Sequence, residues 1–255
     1  MVEGDRVRDV TGVLDRLPSW RWPGPPGDAL IAALAELRPA IEAALPGAPV
    51  VPLECVTLRS PVARPGKVVA VRGNYRGEGA GAAPELFLKA ASSVAGPGDG
   101  LELRFAGRRV DHEVELVAVI GRHTECATIP AALDAVAGWC VGIDVTLRGA
   151  EDRGLRKSLD GYTVLGPWLT TADEATGVAD AAIELAVNGR PLQQGRSSQL
   201  VLAPAALIAE ASRWFALEPG DVVMTGTPPG VGPLAAGDVI DCSIEGLGAM
   251  RLAVR

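Results

Sequence analysis

A chain of 255 residues that is 48% apolar can bury a large core as one domain, or as one domain with an N-terminal extension. Its net charge of −7 is spread along the chain rather than gathered in blocks, which argues against nucleic acid as a partner. No uninterrupted apolar run approaches a membrane span, the charged start Met1 to Arg8 is unlike a signal peptide, and the four scattered cysteines (Cys55, Cys126, Cys140, Cys242) form no CxxC pair, so they read as reduced core residues of a cytoplasmic protein.

Residues 1 to 28 are polar and then proline-rich, with Trp20 and Trp22 ahead of Pro23, Pro25 and Pro26. They are expected to form no regular element and to lie along the surface, pinned by the tryptophans, either as plain surface or as cover for a partner subunit. An amphipathic helix follows, capped by Asp28 and carrying Leu30, Ile31, Leu34 and Leu37 at helical spacing; Pro39 either kinks it or opens a second turn. Val50 to Ser60 reads as a linker strand into the main domain, and Lys67 to Arg72 as a short strand ending at Gly73-Asn74-Tyr75. Residues 76 to 84 are small and aperiodic, which fits a plain loop or a lid over substrate.

From Glu85 to Ile120 short strands alternate with glycine and proline turns, favouring a β-rich α+β body over repeated βαβ units. Neither Gly96-Pro97-Gly98-Asp99-Gly100 nor the run from Thr225 to Gly232 is a phosphate loop, because no Gly-Lys-Ser/Thr follows. Pro130 to Ala137 predicts a short helix, and Glu151 to Arg156 a loop or single helical turn that delivers Lys157. Ile183 to Val187 alternates as a strand into the hairpin signal Asn188-Gly189. Pro204 to Leu217 predicts a helix with Leu207, Ile208, Ala211, Trp214 and Phe215 on its apolar side, and the Gly-Asp turns at 220–221 and 237–238 each start a strand.

The chemistry centres on Val110 to Gly121, an apolar strand with Glu113 and Glu115 at its entrance. Alternation puts both on one face, about 7 Å apart. Two like charges beside a core call for a positive charge between them, or else for an edge strand whose polar face is wet. Asp144, alone within the apolar run Trp139 to Thr146, supplies a third carboxylate. Three carboxylates without a His or Cys ligand cluster suit Mg2+ or Mn2+ better than Zn2+. An octahedral ion would keep about three positions open, two of which a 2-oxo acid or 1,3-diketone can chelate, so the site would stabilise an enolate or oxyanion.

An ordered set of segments carries a family resemblance. Gly73-Asn74-Tyr75, Phe87-Leu88-Lys89, Ser92-Ser93 and Gly96-Pro97-Gly98-Asp99 precede Asp111-x-Glu113-x-Glu115-Leu116; Asp144-Val145-Thr146 with Arg148, Lys157-Ser158-x-Asp160, Leu165-Gly166-Pro167-Trp168, Val187-Asn188-Gly189, Glu218-Pro219-Gly220-Asp221-Val222 and Thr225-Gly226-Thr227-Pro228 follow it. Over roughly residues 60 to 255 the chain resembles the fumarylacetoacetate hydrolase family. The resemblance implies a β-rich α+β fold, a mixed β-sandwich or roll with a few short helices, in which 1–60 is an N-terminal extension and 61–255 the catalytic domain. It implies a homodimer, and a lysine, here Lys157, beside the metal. Tyr75, Lys89 and Arg148 match positions around the substrate or metal shell, where ordinary ion pairing or packing is the alternative. Gly226 and Thr227 would hold substrate oxygens through main-chain and hydroxyl donors.

Departures from the family pattern bear on the reaction. Where family hydrolases carry a water-activating histidine and glutamate on a lid helix, this chain has Glu78 and Gly81; a glutamine expected near 151 is Glu151. Losing that pair should weaken water activation by about 10²- to 10⁴-fold. The favoured expectation is a metal-dependent lyase (decarboxylase), hydratase, isomerase or cyclising enzyme acting on a 1,3-dicarbonyl or 2-oxo acid, with Glu78 as the acid or base. One alternative is a C–C bond hydrolase that uses Glu78 or His123 in place of the pair, and His112 is expected on the face away from the glutamates. The other is a catalytically inactive binding homologue.

Overall fold

The computed structural model describes residues 1–19, 26–76 and 83–255. Trp20, Trp22, Pro23 and Pro25, and on the other segment Glu78 and Gly81, lie outside the described residues.

The start of the chain is more regular than its composition predicts. Strands β1 (Val2–Glu3) and β2 (Arg6–Arg8) reverse over Gly4, which sits at φ 61, and β2 pairs on its other side with β3 (Val50–Pro52). The stretch expected to lead into the main domain therefore begins in this small sheet, because Val7 lies between Val2 and Val51. Helix α1 (Ala29–Ala44) is capped by Asp28, whose Oδ1 accepts from the amides of Leu30 and Ile31, and Pro39 is held within one continuous helix. The other carboxylate oxygen of Asp28 accepts from the amides of Ala63 and Arg64, tying the helix start to the main body.

The body is built from β4 (Val68–Arg72), β5 (Glu85–Lys89), β6 (Val94–Ala95), β7 (Val110–His112), β8 (Val114–Ile120), helix α2 (Ile129–Asp134), β9 (Val136–Asp144), β10 (Thr146–Leu147), helix α3 (Arg153–Lys157) and β11 (Thr163–Thr171). The hairpin β12 (Ala182–Val187) and β13 (Arg190–Arg196), helix α4 (Pro204–Trp214), and β14 (Val222–Met224), β15 (Gly232–Leu234), β16 (Val239–Ile244) and β17 (Gly248–Ala253) complete it. Seven strands form the main sheet in the order β5-β4-β14-β8-β9-β11-β6, parallel at β4–β14 and β11–β6 and antiparallel elsewhere. A four-stranded sheet, β13-β12-β16-β17, and a small sheet, β10-β7-β15, complete a β-rich α+β fold with few short helices.

Strand β8 is buried on both faces, which explains why its sequence runs apolar without alternation. Leu116, Ala118 and Ile120 join a core with Ile183, Leu185, Ile240 and Leu252 of the four-stranded sheet. Val117 and Val119 face the other way, packing with Val68, Val222, Met224 and Ile31 of α1. Asn188 and Gly189, at φ 52 and 76, form the expected two-residue hairpin. Helix α4 buries Leu207, Ile208 and Ala211, but Trp214, expected on that apolar side, is 71% exposed because it lies in the last turn and its Nε1 donates outward to Glu210. Of the cysteines, Cys140 and Cys242 are buried core residues, whereas Cys55 and Cys126 are exposed.

Candidate active site

The segment read as one strand, Val110 to Gly121, is two. It leaves the small sheet at Glu113 and enters the main sheet at Val114. Its neighbour does the same, ending β9 at Asp144 and starting β10 at Thr146, and the amide of Asp144 donates to the carbonyl of Glu113 at 2.8 Å. Both chains thus change sheet side by side, and the acids sit where they do. Glu115 shares the face of Val117 and Val119, and Asp144 that of Cys140, so strand parity sends them to the same side. Glu113, Glu115 and Asp144 are buried, and each offers a carboxylate oxygen within 4.8 Å of the other two.

Two ammonium groups reach this cluster. Lys157, at the end of α3, donates to Glu113 Oε2 at 2.8 Å and Asp144 Oδ2 at 2.6 Å, and Lys89 donates to Asp144 Oδ1 at 2.6 Å and to the carbonyl of Tyr162 at 2.8 Å. The second oxygen of Glu113 accepts from the Thr146 hydroxyl at 2.9 Å and from Arg148 Nη2 at 3.1 Å. Burial acts to raise the pKa of Asp144, but Lys157 and Lys89 outweigh it and hold this carboxyl below its usual value. Burial likewise works against the Lys157 ammonium, yet Asp144 and Glu113 keep it raised, whereas burial wins at Lys89, which is lowered.

Glu115 is different. Among the described residues no ammonium or guanidinium stands within ion-pair distance of it; its Oε2 accepts from the amide of Gly226 at 2.7 Å. Burial and the neighbouring Asp144 push its carboxyl well above the ordinary range. Lys157, Lys89 and Arg148 are thus taken up by Glu113 and Asp144, and Glu115 is left without a cation. An all-carboxylate set this close, with one member unpaired, fits a hard divalent ion better than a thiolate- or imidazole-loving one.

The cluster opens on a cavity of about 450 Å³, lined by Glu113, Glu115, Lys157, Gly226 and Thr227. Phe87 and the guanidinium-bearing Arg72, Arg148, Arg153 and Arg156 also line it. A space of this size accommodates a small oxo acid chelated at one end.

Other residues named from sequence fall in several places. Lys89 and Arg148 touch the cluster, Arg148 also bonding Asp111 through Nε at 2.7 Å. Tyr75 is buried, its hydroxyl donating to the carbonyl of Arg196 on β13. The two expected donors to substrate are engaged within the protein: the Gly226 amide on Glu115, and the Thr227 hydroxyl on the carbonyl of Val114 at 2.8 Å. His123 bonds Glu218 beyond the far end of β8, at least five residues of strand from Glu115, or about 16 Å. That distance removes it as a substitute base. His112 is fully buried and its Nδ1 meets Gln193 Oε1 at 2.9 Å. Glu151 is held by Arg108, which lowers its carboxyl to about 2.

Sequence reasoning missed Gln193, whose position on β13 shows only an ordinary strand residue, and the arginines around Lys157. Their one available signal was the spacing of Arg153, Arg156 and Lys157 within a single helical turn.

Comparison with known proteins gives the family of the chain. A family model described as fumarylacetoacetate (FAA) hydrolase C-terminal matches residues 66–255. A maleylpyruvate hydrolase from Aquipseudomonas alcaligenes is 43% identical over 273 residues, spanning 100% of this chain and 95% of that protein. The crystal structure of maleylpyruvate hydrolase from Sphingobium sp. SYK-6 in complex with manganese (II) ion and pyruvate aligns with a TM-score of 0.88 at 38% identity, covering 100% of this chain and 94% of that one. A mitochondrial oxaloacetate tautomerase from Homo sapiens is 38% identical over 238 residues, 86% of this chain and 75% of that protein. Among the described residues no helix is long and apolar enough to cross a membrane.

Proposed function

This chain belongs to the fumarylacetoacetate hydrolase family and is an enzyme of it, and from that premise we propose that it hydrolyses a C–C bond in a 2,4-dioxo acid, an acylpyruvate, releasing pyruvate and a carboxylic acid. The observation that favours hydrolysis is the likeness over the whole chain to a maleylpyruvate hydrolase, and the centre that would perform it is the convergence of Glu113, Glu115 and Asp144 within 4.8 Å beside a cavity of small-molecule size. Those three residues would hold Mg2+ or Mn2+. The bound ion supplies Lewis-acid stabilisation of an oxyanion or enolate.

Water adds to the C4 carbonyl, the C3–C4 bond breaks with its electron pair going to C3, and C3 takes a proton to give pyruvate, while C4 leaves as the new carboxylate. Lys157, bonded to Glu113 and Asp144, keeps both carboxylates oriented and stands as a protonated donor beside the reacting oxygens. Lys89 fixes the far oxygen of Asp144 from behind. The Gly226 amide turns the Glu115 carboxylate toward the other two. Glu78, outside the described residues, is proposed as the base that takes the proton of water. The resemblance also supports pairing of two copies and a boundary near residue 60.

A second reading, enol–keto tautomerisation, is favoured by the missing histidine–glutamate pair and by the likeness to an oxaloacetate tautomerase. It needs the same centre but no attacking water. Turnover of an acylpyruvate in 18O-labelled water separates the two. Label in the product carboxylate, with stoichiometric pyruvate and dependence on Mg2+ or Mn2+, supports hydrolysis; loss of the enol absorbance without pyruvate supports tautomerisation.

A further inference from the structure

We propose that Asp111 is a positioning residue of the metal centre and acts through Arg148: it steers the Arg148 guanidinium onto one oxygen of Glu113 and offsets the charge that would otherwise compete there with a divalent ion; this rests on the reading of Glu113, Glu115 and Asp144 as the metal ligands. Asp111 lies on β7, across from Thr146 of β10, and its side chain is buried. Its Oδ1 accepts from Arg109 Nε at 2.7 Å, and its Oδ2 from Arg109 Nη2 at 3.1 Å and from Arg148 Nε at 2.7 Å.

Arg148 spans two carboxylates. While its Nε is on Asp111, its Nη2 donates to Glu113 Oε1 at 3.1 Å. A guanidinium is a rigid plane, so fixing Nε on a buried carboxylate also fixes where Nη2 falls. The main chain is held as well, because the Arg148 amide donates to the carbonyl of Arg109 at 2.8 Å and the Arg148 carbonyl accepts from Arg108 Nη2 at 2.7 Å. Glu113 Oε1 takes its other donor, the Thr146 hydroxyl at 2.9 Å, from the residue paired with Asp111. One strand pair thus supplies both groups that turn Glu113, and Lys157 holds the remaining oxygen.

Asp111 does not need Arg148 to satisfy its own oxygens. The fork of Arg109 already meets both, from a side chain 57% exposed. Arg148 is the partner that needs Asp111. It lines the cavity with Glu113 and Glu115, so a divalent ion bound by those acids would share Glu113 with its positive charge. Released from Asp111, the guanidinium could grip Glu113 as a two-pronged fork and oppose the ion. Asp111, outside both the cavity lining and the set of three converging acids, occupies the Nε edge and neutralises the group from the side.

The test is Mn2+ affinity by calorimetry on the full-length protein and on its Asp111→Asn, Arg148→Met and doubly substituted variants, with thermal melting of each read alongside. Asp111→Asn is expected to weaken Mn2+ binding about tenfold or more, because Arg148 then turns onto Glu113. Adding Arg148→Met to Asp111→Asn should restore affinity to within about threefold of the unaltered protein, and Arg148→Met alone should bind like the double variant. A merely structural Asp111 lowers the melting temperature and leaves Mn2+ affinity alone, so an Asp111→Asn affinity within about twofold of the unaltered protein overturns the proposal. A double variant that binds no more tightly than Asp111→Asn overturns it too, since a loss exerted through Arg148 is repaired by removing Arg148. If Asp111→Asn does not fold, Arg109→Met decides, because it leaves Asp111 wholly to Arg148: Mn2+ binding about threefold tighter supports the proposal, and unchanged or weaker binding overturns it. No Mn2+ uptake by the unaltered protein overturns the metal reading and this proposal with it, whereas uptake that Asp111→Asn leaves unchanged overturns this proposal alone.

Discussion

The Gln193 carboxamide donates to the Thr227 hydroxyl at 2.7 Å, and that one contact staples the four-stranded sheet to the candidate site. Gln193 Nε2 also donates to the carbonyl of Pro228, and its Oε1 accepts from the amide of Val114 and meets His112 Nδ1. Every donor and acceptor of the amide is used, so its orientation is fixed and His112 must carry its proton on Nδ1. Thr227 in turn donates to the carbonyl of Val114, immediately between Glu113 and Glu115.

Replacing Gln193 should therefore disturb geometry rather than metal binding. Gln193→Glu sets a carboxylate oxygen against the carbonyl of Pro228, and should cost about 2 kcal/mol or more of stability by denaturant titration. Gln193→Met should lower kcat/KM about tenfold while Mn2+ affinity by calorimetry stays within twofold of the unaltered protein. Loss of Mn2+ binding in Gln193→Met would count against this division of roles.

Divalent metal should stabilise the fold. At a hundred times its dissociation constant Mg2+ or Mn2+ adds about 2.7 kcal/mol, which in a chain of this size raises Tm by roughly 5–10 °C. Glu115→Gln should abolish that rise. The sign for Glu115 in the metal-free protein follows from its raised folded pKa. Protons bind the folded state more tightly, so stability falls as pH rises from the unfolded value through the folded one. Metal-free Glu115→Gln should accordingly lose less stability than the unaltered protein between pH 4.5 and neutrality; a steeper loss would refute the assignment.

Lys157→Met leaves Glu113 Oε2 and Asp144 Oδ2 without their shared ammonium. Breaking a buried pair from one side costs about 3–5 kcal/mol, so the metal-free variant should melt well below the unaltered protein. Added Mn2+ should restore more of the Tm than it adds to the unaltered protein, because the ion then neutralises what the lysine no longer does. Activity should fall by about 10²-fold or more even when metal is saturating, and Lys157→Arg should not restore it, since a planar guanidinium cannot replace a compact ammonium between two carboxylates.

His112 gives the pH dependence an opposite sign. Burial lowers its pKa from the usual 6.5, so the unfolded chain binds the proton more readily. The stability it contributes is complete above 6.5 and is lost as pH falls from there toward the folded value. The difference in unfolding free energy between the unaltered protein and His112→Asn should shrink over that window. A difference constant from pH 7.5 to 5 would show that His112 does not titrate in the folded protein's favour.

Gly226 adopts φ +101, a region costly for any side chain, and a Cβ there would meet Asn74 Cβ at 3.1 Å. Gly226→Ala should cost about 1–3 kcal/mol and move the amide off Glu115, so weaker Mn2+ binding should accompany the loss of stability. Stability loss without any change in Mn2+ affinity would separate the amide from the metal site.

Much of this protein was set by local pattern. Asp28 caps α1 because an aspartate before an amphipathic run satisfies free helix amides, and Asn188-Gly189 turns a hairpin because both residues tolerate positive φ. The lone acid in a buried strand pointed to Asp144, which strand parity puts on the side of Glu115, whereas Glu113 joins them from the break between β7 and β8. Those rules act over a few residues, so the chain order alone carries them. What the chain order could not carry was decided by long-range pairing. The strand break at Glu113 exists because β7 finds β15, from more than a hundred residues later. The small N-terminal sheet exists because β2 finds β3. Gln193 and Thr227 meet only when two sheets pack, and Glu115 lacks a cation only because both lysines reach other oxygens. Such contacts depend on which distant groups share a buried volume, where each polar atom must find a partner or bear its desolvation, and that balance is struck only in the folded molecule.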